Sequence, residues 1–248
     1  MDLVPNDVAD TSMVFLSGSL VEGFGNAKSD IDVVAIGARD TSLELPSPWV
    51  PLGPGKVLIR TLDGRRVDIE FIPVDVLESA IDKLDSDSSD RHPATRALSS
   101  ELLSALHSLH IGIPLNRLDQ FHELRSAVPW ATLNSAMSDV AAYMCRATGE
   151  DAAGAILAGD AYSAMISSKI SLGYSIDMLT ARLGHTNPKP KWRARKLQAL
   201  GANAVLHRYI ELEADTSIEP VALLRQSKAR VRYTQELLIE VSQQVCEQ

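Results

Sequence analysis

The sequence predicts an α+β fold in which a small mixed β-sheet domain, residues 1–90, precedes an α-helical bundle domain, residues 91–248. Three observations lead to this prediction. Apolar and polar residues alternate in the first third of the chain, which is typical of strands with one buried face. Beyond Pro93 the apolar residues recur every three or four positions, as in amphipathic helices. The run from Asp82 to Asp90 is dense in aspartate and serine, and it predicts a solvated linker between the domains.

The first domain begins with the apolar segment Met13–Ser17, which we expect to be a strand. A second strand should contain Asp30-Ile31-Asp32. Segments 56–62 and 65–73 predict a β-hairpin, because the intervening Asp63-Gly64 is a tight-turn signal. The proline-rich segment between residues 36 and 56 is expected to form a loop at the sheet edge. Trp49 is expected to pack over the sheet, with a contact to the nucleotide base as the alternative.

Asp30 and Asp32 flank a single isoleucine, so in an extended strand both carboxylates point to the same side. Two such charges ~4 Å apart repel by about 4 kcal/mol at an effective dielectric constant of ~20. A cation is therefore expected between them. Oxygen ligands on a rigid strand suit Mg²⁺ that carries substrate phosphates.

Asp68 and Glu70 supply further acids, on the polar face of the second hairpin strand. If this strand lies beside the one that carries Asp30 and Asp32, three carboxylates can bind two divalent ions for phosphoryl transfer. The alternation alone does not distinguish Asp68 from Glu70 as the third ligand. The other acid is then a substrate contact or a solvated side chain.

Gly18 and Ser19 follow the first predicted strand directly. Glycine permits close approach of the backbone to a phosphate, and the amides at a helix start attract anions. Residues 20–24 are long enough for one or two helical turns, and the chain then returns to Ser29. These residues predict a phosphate-binding turn, with Ser29 as a further nucleotide contact.

Taken together, these segments resemble the DNA polymerase β-type nucleotidyltransferase superfamily. Closest in layout are the bacterial aminoglycoside-type enzymes, which act on small molecules. The matching segments are Gly18-Ser19, Glu22–Asn26, Ser29–Asp32 and Arg66–Ile69. The resemblance implies that Asp30 and Asp32 hold both metal ions, that Asp68 completes the site and activates the acceptor, and that the glycine and serine bind the triphosphate.

The activity implied by this resemblance is transfer of a nucleoside monophosphate, AMP from ATP by default, to a hydroxyl of a small acceptor such as an aminoglycoside. Two Mg²⁺ ions would assist, and pyrophosphate would be released. One alternative is a toxin- or antitoxin-type nucleotidyltransferase that modifies tRNA or a partner protein. The other is a nucleotide-binding module that has lost its chemistry.

Composition narrows these choices. The formal net charge of −8 disfavours a nucleic-acid partner and favours a small cationic acceptor. Two cysteines exclude a disulfide framework and a thiolate zinc site. Neither a signal peptide nor a membrane-spanning run is evident, so we expect a cytoplasmic protein without a membrane partner. The oligomeric state is not readable from the sequence.

The second domain is expected to contain five helices. Apolar stripes and breakers place them at residues 93–112, 129–148, 151–183, 192–212 and 219–245, with Gly149 ending the second.

The basic cluster of residues 187–196, which prolines stiffen, is either a phosphate contact or a solvated surface. The resemblance implies Lys191 as the candidate phosphate contact of this domain, because helical domains of similar nucleotidyltransferases often present a lysine to the phosphates. Lys169 is a candidate substrate contact, with a solvated lysine as the alternative. Asp177 is either a contact for substrate amines or a surface charge.

Overall fold

The computed structural model describes residues 3–37, 49–85, 98–214 and 217–246, with side chains through residue 243. Among these residues, those up to 85 together with residues 98–130 form one compact unit, and those from 131 onward form a second.

The first unit is built on a mixed six-stranded sheet with the strand order β3-β4-β5-β2-β1-β6. Strands β2 and β5 are parallel, and every other neighbouring pair is antiparallel. This sheet and the accompanying helices confirm the predicted α+β class. The strands are β1 (Met13–Ser17), β2 (Ile31–Gly37), β3 (Val50–Leu52), β4 (Gly55–Leu62), β5 (Arg65–Pro73) and β6 (Ile113–Pro114). The helices are α1 (Asn6–Thr11), α2 (Gly18–Val21), α3 (Val74–Asp85), α4 (Ser100–Ile111) and α5 (Leu118–Ala127).

Strand β5 shows the predicted alternation. Val67, Ile69 and Phe71 are buried, whereas Asp68 and Glu70 on the opposite face are only partly buried. The turn that joins β4 to β5 has positive φ at both Asp63 and Gly64, 49° and 76°, as a tight hairpin turn requires. The predicted hairpin is therefore confirmed.

Trp49 packs against the buried cluster on one face of the sheet, as expected, and β3 adds a short exposed edge strand after it. The prediction of a loop up to residue 56 was thus wrong from Val50 onward. Pro46 and Pro48 lie outside the described residues.

The sheet-bearing unit extends past the predicted boundary at residue 90. Strand β6 pairs with β1, with Phe15 opposite Pro114, and the rings of Phe15 and Phe121 meet edge to face at 5.2 Å. These contacts place α4 and α5 with the sheet. Helix α3 continues to Asp85, so the first part of the expected linker is helical, and residues 86–97 lie outside the described part.

The second unit is helical, as predicted, but its helix ends differ. Its elements are α6 (Trp130–Ala158), α7 (Ala161–Arg182), a 3₁₀ turn (Pro190–Trp192), α8 (Arg193–Ala199), α9 (Asn203–Glu213) and α10 (Pro220–Cys246). Gly149 lies inside α6, so the expectation that it ends the helix was wrong. The break comes at Gly159, with φ of 73°, and Asp160 caps α7 by accepting from the Ser163 amide.

Two helices that were predicted as continuous are divided. Segment 151–183 breaks at Gly159, and segment 192–212 breaks between α8 and α9, where Gly201 has φ of 68°. The core of the unit includes Leu172, Ile176 and Leu197, all fully buried. No helix among the described residues has the length and apolar character that crossing a membrane requires.

Candidate active site

Asp32 on β2 and Asp68 on β5 are direct partners in the parallel strand pair. Partners in adjacent strands point to the same face of a sheet, so the two carboxylates project side by side. Ser17 at the end of β1 is the partner of Asp32 on its other side. Asp30, two residues before Asp32, lies just outside the strand. The register therefore places Asp32 beside Asp68, and Asp30 directly precedes the strand that carries Asp32.

The side chain of Arg66 lies among these acids. Its Nε donates to Oδ1 of Asp68 at 2.6 Å and its Nη2 to Oδ2 at 2.7 Å, while Nε is also 3.7 Å from Oδ2 of Asp30. The hydrogen bond with Asp68 and the charge of that carboxylate raise the pKa of Arg66, and the charges of Asp30 and Asp32 add to this shift. A positive charge was expected between the acids, and in the structure the guanidinium of Arg66 supplies one.

Arg66 was not singled out from the sequence as a neighbour of these acids. It lies two positions before Asp68 on the same strand face, so the alternation that located Asp68 also locates Arg66 beside it. The guanidinium is half exposed, at 49% of its side-chain surface. It can therefore leave the carboxylates without breaking the core.

Gly18 lies directly against Asp32. Its φ is 74°, which is unfavourable for residues with a Cβ, and a Cβ here would overlap the Asp32 carboxylate. Position 18 therefore favours glycine for two reasons: its positive φ, and the close approach of its Cα to the Asp32 side chain. The predicted phosphate-binding turn is in contact with the predicted metal-binding strand.

The loop from Gly18 to Ser29 is held by its own hydrogen bonds. The amides of Phe24 and Gly25 donate to the Ser19 carbonyl at 2.9 and 2.7 Å, and the Phe24 side chain is buried. The Ser29 hydroxyl accepts from the Asn26 amide at 2.9 Å. Ser29 thus closes the turn that leads into the acidic strand, and its role as a nucleotide contact stays a prediction.

Glu70 lies one alternation beyond Asp68 on the same face of β5, opposite Val34 of β2. Its partner in the strand pair is apolar, whereas the partner of Asp68 is a second acid. Of the two acids that the alternation left open, Asp68 is therefore the one placed with Asp32. A substrate contact from Glu70 stays a prediction.

Lys169 and Lys191 belong to the second unit. The Lys169 ammonium donates to the Glu213 carbonyl at 3.1 Å and lies 3.6 Å from the carboxylate of that residue. Lys191 is exposed, with its ammonium 5.0 Å from the centroid of the Trp192 ring. Their roles toward substrate and nucleotide stay predictions.

Two other cations of the basic cluster have structural partners. Asp177 accepts hydrogen bonds from Arg193, at 2.5 Å from Nη2, and from Lys196 at 3.1 Å. Burial lowers the pKa of Arg193, but the hydrogen bond and charge of Asp177 outweigh it, and the pKa is raised. Asp177 was expected to be a surface charge or a contact for substrate amines. In the structure it is instead the ion-pair partner of Arg193 and Lys196.

The acids fit Mg²⁺ in chemical kind, since carboxylate oxygens are its preferred protein ligands. Among the described residues, however, no three histidine, cysteine, aspartate or glutamate side chains form a cluster ready to hold a metal ion. The Arg66 guanidinium is hydrogen-bonded to both oxygens of Asp68, so it would compete with a metal ion for this carboxylate.

No family model and no curated protein matches the sequence. Among solved structures, the fold is similar to the crystal structure of a nucleotidyltransferase-like protein from Exiguobacterium sibiricum 255-15. The TM-score is 0.52 at 16% sequence identity, and the match covers 95% of this chain and 71% of that chain. The chain therefore has a nucleotidyltransferase-like fold.

Proposed function

We propose that this protein is a metal-dependent nucleotidyltransferase that transfers a nucleoside monophosphate to a hydroxyl of a small acceptor. The observation that carries the proposal is the strand register that pairs Asp32 with Asp68, together with the contact of Gly18 on Asp32. A carboxylate set beside a glycine turn is an arrangement suited to phosphoryl transfer. The nucleotidyltransferase-like fold is consistent with this assignment.

In the proposed mechanism, Asp30 and Asp32 would hold two Mg²⁺ ions, and Asp68 would bind one of them. When bound, the ions would supply positive charge to offset that of the phosphates. The backbone around Gly18 and the Ser19 hydroxyl orient the β- and γ-phosphates, since exposed amides at a helix start attract anions. A carboxylate oxygen of Asp68 accepts the proton of the attacking hydroxyl.

Arg66 has a place in the same scheme. Without a metal, its guanidinium offsets the mutual repulsion of the acids. Because it is half exposed, it can turn outward when the carboxylates bind a divalent ion. In that outward position it is available for a phosphate oxygen of the nucleotide, which it can bind through two N–H groups.

ATP is the proposed nucleotide by default, and a cationic small molecule such as an aminoglycoside is the proposed acceptor. The support for the acceptor is electrostatic: the net charge of −8 attracts cations to the protein. In the second unit, we propose that Lys191 reaches the phosphates and Lys169 the acceptor. We propose a cytoplasmic location, in keeping with the free, buried thiol of Cys145.

The test is incubation with each of the four α-labelled nucleoside triphosphates, Mg²⁺ and a panel of aminoglycosides and other polyhydroxylated amines. Transfer of label and release of pyrophosphate are followed together. We expect one triphosphate to label one acceptor class with equal release of pyrophosphate. Asp32→Asn and Asp68→Asn should abolish both signals at saturating Mg²⁺.

Asp63→Asn is the matched control, because Asp63 lies in the hairpin turn at positive φ, which asparagine tolerates. It should retain full activity. Wild-type transfer rates in Asp32→Asn would contradict the proposed mechanism. Tight triphosphate binding without pyrophosphate release, with every acceptor, would instead identify a binding module without chemistry.

A macromolecular acceptor is the second candidate, and one observation favours it. Arg225, Lys228 and Arg232 are exposed along one side of α10, where they line a groove with Val221 and Leu224. Such spacing suits successive phosphates of a nucleic acid. Binding of tRNA that weakens steeply with salt, and that Lys228→Ala weakens further, would favour this candidate over a small molecule.

A further inference from the structure

Glu22 and His107 form a buried contact between the phosphate-binding loop and helix α4. The Nε2 atom of His107 lies 3.3 Å from Oε1 of Glu22, and each side chain retains only 7% of its exposure. The two side chains are thus in close polar contact. Glu22 lies directly after α2, in the loop that begins at Gly18, whereas His107 lies in the chain segment beyond residue 90.

A carboxylate this deeply buried is stable only where polar groups compensate for lost hydration. The imidazole of His107 is such a group, and it is itself fixed because α4 is fixed. Leu106 and Leu109 on this helix are fully buried, and the Ser17 hydroxyl donates to the Ser108 carbonyl at 3.3 Å. Helix α4 is therefore a rigid support on which the loop rests.

The position of Glu22 is passed on to the phosphate-binding turn. The Glu22 amide donates to the Gly18 carbonyl at 3.0 Å, and Gly18 lies against Asp32. A shift of Glu22 therefore moves the backbone that cradles the phosphates.

We propose that His107 is a positioning residue for triphosphate binding, which acts by holding Glu22 and thereby the Gly18-Ser19 turn in place. The inference rests on the proposed function, since it assigns to this turn the β- and γ-phosphates. It adds a determinant of nucleotide affinity that lies outside the segments that resemble nucleotidyltransferases. A nucleoside monophosphate has no β- or γ-phosphate, so its binding does not depend on the pair.

The experiment is a double-mutant cycle on the full-length chain with His107→Leu, Glu22→Leu and the combined variant. Dissociation constants for ATP and AMP are measured by calorimetry in the presence of Mg²⁺. Each single change removes the contact between the two side chains, and we expect about tenfold weaker ATP binding. AMP affinity should stay unchanged. The combined variant replaces both partners by apolar side chains, so its loss should be clearly smaller than the sum of the single losses.

His122→Leu is the matched control, because His122 is an exposed histidine of the same unit. It should bind both nucleotides as the wild type does. Unchanged ATP affinity in His107→Leu and Glu22→Leu would overturn the inference. Equal losses for ATP and AMP would overturn it as well, because they indicate a general effect on the fold. Additive losses in the combined variant would also overturn it, because they show that the two side chains act independently.

Failure of the proposed function gives a different result. A wild-type chain that binds none of the four nucleoside triphosphates would overturn the proposed function together with this inference. A wild-type chain that binds ATP, with variants that bind it equally well, overturns the inference alone. Melting temperatures of all variants are measured so that every titration is made on folded protein.

Discussion

Arg66 and Asp68 are joined by two parallel hydrogen bonds within a single strand, at 2.6 and 2.7 Å, across the buried Val67. The pair places a positive charge where three aspartates would otherwise repel one another. It also sets up a competition between the guanidinium and any divalent ion for the same oxygens.

We therefore expect Arg66→Ala to bind Mn²⁺, used as a probe for Mg²⁺, severalfold more tightly than the wild type. The reason is that the metal ion no longer has to displace the guanidinium. Titration followed by electron paramagnetic resonance measures the free ion directly. Arg65→Ala is the control, because Arg65 is exposed and precedes Arg66 on the other face of the strand. Weaker Mn²⁺ binding in Arg66→Ala would show that Arg66 supports the metal site instead of competing with it.

Gly18 and Gly23 offer a matched comparison of two glycines with nearly equal φ, 74° and 79°. An added Cβ collides with Asp32 at Gly18, whereas at Gly23 it has nothing within 4 Å. Gly23→Ala should lower the free energy of unfolding by about 1 kcal/mol, the usual conformational cost. Gly18→Ala should lower it further and abolish ATP binding. Urea unfolding and calorimetry provide the measurements, and equal effects of the two substitutions would contradict the close packing of Gly18 on Asp32.

Lys196 retains only 2% of its exposure and pairs with Asp177. Asp177→Ala removes the carboxylate and leaves two nearby cations in a buried setting, so it should lower the free energy of unfolding by about 3 kcal/mol. Adding Lys196→Met should recover part of that loss, because the buried charge is then removed as well. Urea titrations followed by helix circular dichroism test both variants. A combined variant less stable than Asp177→Ala would argue against an uncompensated charge as the cause.

His110 lies against Trp130, with ring centroids 4.5 Å apart. Burial, and then the charges of Arg125 and His107, lower the pKa of His110 below its usual 6.5. The folded state therefore resists protonation. The associated stability is complete above the unfolded-state pKa, and it is lost as the pH falls through the lower folded-state pKa.

The expected result is that His110→Gln loses less stability than the wild type between about pH 7 and pH 5. Unfolding free energies at three pH values within this range give the slope. The exposed His122→Gln variant should keep the wild-type slope. If the unfolding free energy of His110→Gln depends on pH as steeply as that of the wild type, His110 is not the source of this pH dependence.

Local patterns were sufficient for the sheet residues that carry the site. The alternation in β5 and the Asp63-Gly64 turn are properties of neighbouring residues, so the hairpin and the shared face of Asp68 and Glu70 could be predicted. The parallel pairing of β2 with β5 is a long-range contact. From the sequence, these two strands could only be assumed to be adjacent, because no local pattern specifies which strands become neighbours.

Helix ends and the unit boundary were harder to predict, for a related reason. Gly159 follows the end of α6 with positive φ, whereas Gly149 lies inside the same helix, and the sequence does not distinguish these two cases. The affiliation of α4 and α5 with the sheet depends on tertiary contacts such as that of Phe15 with Phe121. The same limitation concealed the contact of His107 with Glu22.

The candidate site also depends on the correct parallel register of β2 and β5. A slip by one residue would turn Asp68 to the opposite face and leave Asp32 beside an apolar side chain. An ion that needs both carboxylates thus recognises only correctly aligned strands. Its binding would stabilise the native register of β2 and β5 over registers shifted by one residue. A metal titration would then measure the fraction of molecules in which these two strands are correctly paired.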